Sequence, residues 1–285
     1  MSLINQYQIN IARQVEDALA EDLGGQVDIS NDITAMLINA DTKMRAHIIT
    51  REKCTLCGKA WVEEVFAQVD VKVNLDWQHA DGDDLNANDI IVIIEGNARS
   101  ILTAERSALN FLQTLSGTST TTATYVKYLE NTNTKLLDTR KTLPGMRQAQ
   151  KYAVACAQGV NHRMGLNDAF LIKENHIHAC GGIKNAVSKA KKMHSNLPIE
   201  VEVENLDELV QALDSGVNTI MLDNFSTKLI QEAVVLNAGQ CKLEVSGNIT
   251  FDRLQELAAT GVDYISSGAL TKHVTAIDLS LITLD

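Results

Sequence analysis

Thr139-Arg140-Lys141, His162-Arg163 and Lys173 gather four cations and a histidine into one stretch of a chain whose net charge is −11. Guanidinium forks match carboxylate and phosphate oxygens two at a time, and a lysine ammonium adds a compact point charge. The grouping fits a site for a polyanionic substrate. It also fits surface cations paired with nearby acids.

Glu202 and Asp223 offer hard oxygen donors, the ligands that Mg²⁺ or sugar hydroxyls require. Glu200 and Glu204 alternate with Glu202, and a side-chain period of two would turn all three to one face of a strand. That face is either solvated or, if buried, must hold a metal or cations. Ser246-Gly247-Asn248 and Ser267-Gly268-Ala269 are small-residue turns. Glycine lets backbone N–H groups approach a phosphate, and a helix N-terminus adds a favourable dipole. Each alone is also an ordinary strand-to-helix turn; two in succession favour a phosphate cup. Cys54-Thr55-Leu56-Cys57 has half of a zinc spacing without a second pair, so it reads as structural. His176 and His178 alternate, but Asn175-His176 serves equally to support Lys173.

These residues need a frame that brings distant positions together. After Lys135, strand-like runs recur at 135–139, 169–173, 199–203, 219–223, 243–246 and 263–267. Helical patterns separate them at 144–157, 182–194, 206–214, 226–237 and 250–260. The later units repeat at about 20 residues, the spacing of βα units in a parallel sheet or barrel. Each run ends in polar residues, and α/β barrels carry their chemistry at that face. A full barrel takes about 250 residues, more than 116–285 offers. An open α/β barrel of six or seven parallel strands is therefore expected, closed by the first domain or a partner subunit.

The preceding stretch mixes a helix over 4–23, stopped by Gly24-Gly25, with strands at 43–50, 70–75 and 90–95 and a helix at 58–68. That is an α+β unit. A long helical pattern runs from 101 to about 130 and breaks at Ser116-Gly117. The boundary is placed there, giving domains 1–115 and 116–285, with the last residues free to return to the first.

Composition narrows the function. The 285 residues suggest two domains, and the acidic balance argues against a nucleic-acid partner. With 45% hydrophobic residues the chain has enough for a sizeable core. No apolar run approaches the roughly 20 residues of a membrane helix. The N-terminal residues lack a basic, then apolar, export pattern. Five cysteines, an odd number, form no disulfide framework, which fits a reducing cytoplasm. Only two prolines exclude collagen-like architecture.

Thr139-Arg140-Lys141-Thr142-Leu143-Pro144-Gly145-Met146-Arg147 resembles the signature of the quinolinate phosphoribosyltransferases, also called nicotinate-nucleotide pyrophosphorylases (carboxylating). The resemblance includes Glu21-Asp22-Leu23, Asp32-Ile33-Thr34, Glu105-Arg106-Ser107-Ala108-Leu109-Asn110 and Leu115-Ser116-Gly117. It continues through Asn161-His162-Arg163, Leu171-Ile172-Lys173-Glu174-Asn175-His176 and Glu200-Val201-Glu202, then Leu222-Asp223-Asn224-Phe225, Ser246-Gly247 and Ser267-Gly268. It implies an N-terminal α/β sandwich before the open barrel, and a homodimer or higher oligomer with shared active sites. It also implies an Mg²⁺-dependent reaction of quinolinate with phosphoribosyl pyrophosphate, giving nicotinate mononucleotide, pyrophosphate and CO₂ for NAD biosynthesis.

By the same resemblance, Arg106 comes from the partner subunit to a quinolinate carboxylate. Arg140, His162, Arg163 and Lys173 line that pocket, and Lys141, beside Thr139, faces phosphoribosyl pyrophosphate. Glu202 and Asp223 serve the ribose hydroxyls and Mg²⁺, while Ser246-Gly247-Asn248 and Ser267-Gly268-Ala269 hold the 5′-phosphate. Lys141, Lys173, Glu202 and Asp223 form the implied catalytic set. Two departures concern loop shape: Ala157-Gln158-Gly159 replaces a glycine run, and Thr118-Ser119-Thr120 replaces Ile-Ala-Thr.

Three rivals remain at this stage. One is the paralogous pyrophosphorylase-like protein of molybdenum transport. Another is a Schiff-base aldolase using Lys173, which would need a desolvated lysine. The third is a non-catalytic anion binder, for which Glu202 and Asp223 would have less use.

Overall fold

The structure is a computed structural model, described here over residues 9–247 and 249–284. The chain forms two compact units, and neither is one stretch of sequence. The first comprises the chain up to Ala123, Leu143–Ala157 and the chain from His273; the second comprises Thr124–Thr142 and Gln158–Lys272.

Helix α1 (Ile11–Asp22) starts where the Asn10 side chain accepts the Arg13 N–H at 3.1 Å, and it buries Val15 and Leu19. The helix expected over 4–23 is thus shorter within the described residues; positions 4–8 lie outside them. Then follow β1 (Lys43–Thr50), β2 (Cys54–Thr55), α2 (Lys59–Val69), β3 (Asn74–Trp77), β4 (Asp84–Leu85), β5 (Ile90–Asn97) and α3 (Ala98–Lys127). The strand expected at 70–75 begins only at Asn74. Asp70 closes α2 and its carboxylate accepts the Lys72 N–H at 3.0 Å, so Val71 sits in a turn, 80% exposed.

Helix α3 corrects another expectation, since it runs unbroken through Ser116-Gly117. The small residues there serve close approach rather than termination. A Cβ at Gly117 would meet the Thr275 carbonyl oxygen at 2.1 Å. The Ser116 hydroxyl accepts the Cys57 N–H at 3.0 Å and donates to the Cys57 carbonyl at 3.1 Å. Thr118-Ser119-Thr120 therefore lies within a helix, not a loop. Its polar groups are used there: Gln150 donates to Thr118 Oγ1 at 3.4 Å, and Thr55 N–H to Thr120 Oγ1 at 2.9 Å.

The chain continues through β6 (Lys135–Leu137), α4 (Arg147–Cys156), β7 (Phe170–Ile172), α5 (Glu174–Cys180), α6 (Ile183–Met193), β8 (Ile199–Val203) and α7 (Leu206–Asp214). It ends with β9 (Thr219–Asp223), α8 (Thr227–Asn237), β10 (Lys242–Ser246), α9 (Phe251–Ala258), β11 (Tyr264–Ser266), α10 (Ala269–Lys272) and β12 (Leu279–Leu284). Strands β12, β1, β5 and β3 form, in that order, an antiparallel sheet in the first unit. Its core holds Trp61, Phe66, Ile48, Ile94, Leu109 and Leu112. Each such side chain contributes about 1.5–3 kcal/mol on burial. The Trp61 and Tyr152 rings meet at 5.4 Å, which fixes α4 in this unit.

The second unit is a six-strand parallel sheet in the order β6-β11-β10-β9-β8-β7. Each strand lies beside its sequence neighbour, except that β6 pairs with β11 and not with β7. This is a barrel order left open at one seam. On the β6 side of the seam Val160 makes a single parallel bridge to Leu137, the start of a seventh strand. All six strands point the same way, so their C-terminal ends form one rim.

Candidate functional site

Beyond β6 the chain crosses that rim. Asp138, fully buried, accepts from the His162 N–H at 2.9 Å and from Asn161 Nδ2 at 2.6 Å. These bonds tie the 160–163 segment to the end of β6. Arg163 on this segment donates to the Ala169 carbonyl at 3.3 Å. Burial, and then the neighbouring Arg140 guanidinium, hold its pKa below the ordinary arginine value. Arg140 Nε is itself buried without a partner among the described residues. Two guanidiniums held together are unfavourable unless an anion is shared between them.

The acids stand at neighbouring strand ends. Lys173, just past β7, pairs with Glu202 near the end of β8. His176 accepts the Lys173 N–H at 3.0 Å and so starts α5, an element not foreseen in the sequence. Asp223 ends β9 in register with Ser246 of β10, and its carboxylate accepts from Asn224 Nδ2 at 2.9 Å. The expected three-acid face resolves into separate surroundings. Glu200 is buried and Glu202 half-buried, on the face opposite fully buried Val201 and Val203. Glu204 lies exposed beyond β8, its carboxyl raised mainly by the nearby charge of Glu174.

Below the rim, His162 Nε2 lies 2.7 Å from Glu200 Oε2 and 3.6 Å from Glu244 Oε2. Burial, with the Glu200 carboxylate alongside, pushes the Glu244 carboxyl well above the usual carboxylate range. Asp138 and Glu244 were not singled out from the sequence. The alternation of Leu243, Glu244 and Val245 was the available signal, since it turns Glu244 to the same face as Ser246.

The two small-residue turns sit beside the charged groups. Gly247 has φ +99° and Asn224 φ +56°, and the Asn224 N–H donates to the Ser246 carbonyl at 3.2 Å. A Cβ at Gly268 would lie 2.8 Å from Cδ of Lys141 and 3.4 Å from Oγ1 of Thr139. That close approach brings the Thr139-Lys141 block onto the Ser267-Gly268-Ala269 turn. Within the turn, Ser267 Oγ accepts the Ala269 N–H at 3.3 Å. Asn248 lies outside the described residues. Gln158, where a glycine run was expected, takes the left-handed conformation with φ +63°, which a glycine adopts without strain.

Arg106 belongs to the first unit, exposed on α3. In the same unit Cys54 and Cys57 part company: the Cys54 thiol lies 3.6 Å from Thr50 Oγ1, whereas Cys57 neighbours Asp81 and Cys156.

Residues 29–116 match the family described as quinolinate phosphoribosyl transferase, N-terminal domain, and residues 118–282 match its C-terminal domain. A probable nicotinate-nucleotide pyrophosphorylase (carboxylating) of Bacillus subtilis is 37% identical over 92% of this chain and 89% of its own. A solved nicotinate-nucleotide pyrophosphorylase from Francisella tularensis is 52% identical, covers 96% of each chain and superposes with a TM-score of 0.92. The NadC structure from Streptococcus pyogenes is 38% identical over 96% of this chain and 97% of its own, with a TM-score of 0.90.

Proposed function

The chain belongs to the quinolinate phosphoribosyltransferase family, and we propose that the strand ends of its second unit divide between them the two anionic substrates of that reaction. The enzyme transfers phosphoribosyl from phosphoribosyl pyrophosphate to quinolinate with decarboxylation, giving nicotinate mononucleotide, pyrophosphate and CO₂ in NAD biosynthesis. The observation that carries the division of roles is the nearness of two cations: after burial, the Arg140 charge lowers the Arg163 pKa, and Arg140 Nε is buried without a partner among the described residues.

Quinolinate carries two adjacent carboxylates. Arg140 and Arg163 take them, with Lys173 beside and His162 in the wall behind. Arg106 reaches the same carboxylates from the partner subunit of a homodimer. Lys141 and Thr139 face phosphoribosyl pyrophosphate. Ser246, Gly247, Ser267, Gly268 and Ala269 cradle the 5′-phosphate, and Asn248 is assigned to the same cup. Glu202 and Asp223 hold the ribose hydroxyls and Mg²⁺, directly or through water. Their fit to the ion rests on the donor set: two carboxylates at adjacent strand ends offer only hard oxygen ligands. When bound, Mg²⁺ neutralises charge on the departing pyrophosphate.

The quinolinate ring nitrogen attacks the anomeric carbon as pyrophosphate departs, so the protein's task is alignment and charge stabilisation rather than covalent catalysis. The new N–C bond leaves the ring nitrogen positive. That charge stabilises the electron pair left on the ring carbon when the adjacent carboxylate departs as CO₂, and the same pair then takes a proton. A Schiff-base role for Lys173 is disfavoured: its side chain is 45% exposed and ion-paired with Glu202, whereas such lysines are desolvated. Five free cysteines accord with a cytoplasmic location.

The decisive experiment incubates the purified protein with quinolinate, phosphoribosyl pyrophosphate and Mg²⁺. Nicotinate mononucleotide and CO₂ should appear in equal amounts. Their absence from a folded preparation would overturn the reading.

A further inference from the structure

Both ring nitrogens of His162 are engaged inside the protein. Nδ1 accepts the backbone N–H of Arg163 at 2.8 Å, which places the ring proton on Nε2. Nε2 then donates to Glu200 Oε2 at 2.7 Å. His162, Glu200 and Glu244 stand close enough together to surround a metal ion. A histidine that ligates a metal through one nitrogen donates a proton from the other. Here the other nitrogen accepts, so a metal at Nε2 would require an imidazolate. The cluster is a hydrogen-bond relay instead.

We propose that Glu200 is a positioning residue for quinolinate, acting on Arg163 through the ring of His162. The inference rests on the assignment of Arg163 to the quinolinate carboxylates made above. Glu200 lies near the start of β8, 8% exposed, below the rim where Glu202 stands. By holding the Nε2–H it turns Nδ1 toward the Arg163 backbone, while Asp138 holds the His162 N–H from the other side. The segment is thereby fixed at both ends of one residue, and the guanidinium that follows is set beside Arg140. Bidentate recognition of a carboxylate tolerates little misplacement of the guanidinium plane. His162 therefore serves binding through Arg163.

The test is steady-state kinetics and calorimetry on Glu200 variants of the full chain. Glu200→Ala should raise KM for quinolinate at least about tenfold, some 1.4 kcal/mol. Its kcat and its KM for phosphoribosyl pyrophosphate should stay within about twofold of wild type. Glu200→Gln should restore quinolinate binding, because its amide carbonyl still accepts from Nε2–H. The double variant Glu200→Ala/Arg163→Ala should bind quinolinate no worse than Arg163→Ala alone. A wild-type KM in Glu200→Ala, or additive losses in the double variant, would overturn the proposal. Nitrogen-15 NMR of the wild-type histidines decides the case even if Glu200→Ala does not fold: a proton on His162 Nδ1 refutes the relay. Failure of wild-type protein to bind quinolinate in the calorimeter would instead refute the carboxylate assignment beneath it.

Discussion

Gly247 and Asn224 leave no room for a methyl group between them. A Cβ on Gly247 would lie 2.2 Å from Oδ1 of Asn224 and 3.3 Å from its backbone nitrogen. Gly247 also holds φ +99°, a conformation that strains any L side chain. Gly247→Ala should therefore lower unfolding stability by about 1–3 kcal/mol. If this turn belongs to the phosphate cup, KM for phosphoribosyl pyrophosphate should rise well above that for quinolinate. Thermal unfolding and paired KM measurements check both; an equal rise in the two KM values removes the turn from the cup.

The Arg140–Arg163 pair makes a prediction about substrate choice. A single carboxylate leaves one half-buried guanidinium without its anion, and a desolvated group left unpaired costs about 1–3 kcal/mol. Nicotinate should show a kcat/KM at least about 10²-fold below that of quinolinate. Comparable values for the two acids would show that the pair is not the carboxylate site.

For the acids, Glu202→Ala and Asp223→Ala should each lower kcat by at least about 10²-fold, the loss of a few kcal/mol of transition-state stabilisation. Quinolinate binding should survive in both, as calorimetry would show. A variant that lost quinolinate binding but kept Mg²⁺-dependent turnover would reverse the assigned roles.

Arg106 tests whether active sites are shared. Arg106→Ala and Lys173→Ala should each be inactive alone. In a heterodimer of the two, one site carries both lesions and the other none. Co-refolding the variants should restore activity to about half of wild type within the heterodimer fraction. Heterodimers shown by mass spectrometry to be present yet inactive would place Arg106 outside the neighbour's site.

The sequence announces the second unit far more clearly than the first. Strands β8 and β9 stand where the strand-like runs place them, and α7 spans the expected 206–214. Buried parallel strands are short and apolar, with polar residues at their exits, so their limits show in one dimension. Ser116-Gly117 misleads because glycine signals either a chain break or a close approach, and only the Thr275 carbonyl beside it distinguishes the two. Val71, Val73 and Leu75 alternate like a strand although the first of them lies in a turn. At the site, each charged strand end is legible because its residue type is chemically costly to place there. The roles of Asp138 and Glu244 depend on neighbours far away in sequence, such as His162; alternation can place Glu244 on a face but cannot name that partner.

The pairing of β12 with β1 sets the order in which a newly made chain can finish. Arg45 faces Leu284 and Thr50 faces Leu279 across an antiparallel ladder, so the edge of β1 is satisfied by a strand made long after it. The parallel sheet is complete in sequence before β12 is made, whereas the sheet of the first unit waits for β12 to emerge from the ribosome. Until then β1 presents an open edge with unpaired backbone groups, the kind of surface that recruits a strand from another chain. Removal of 279–284 should therefore show itself less as lost chemistry than as aggregation during expression.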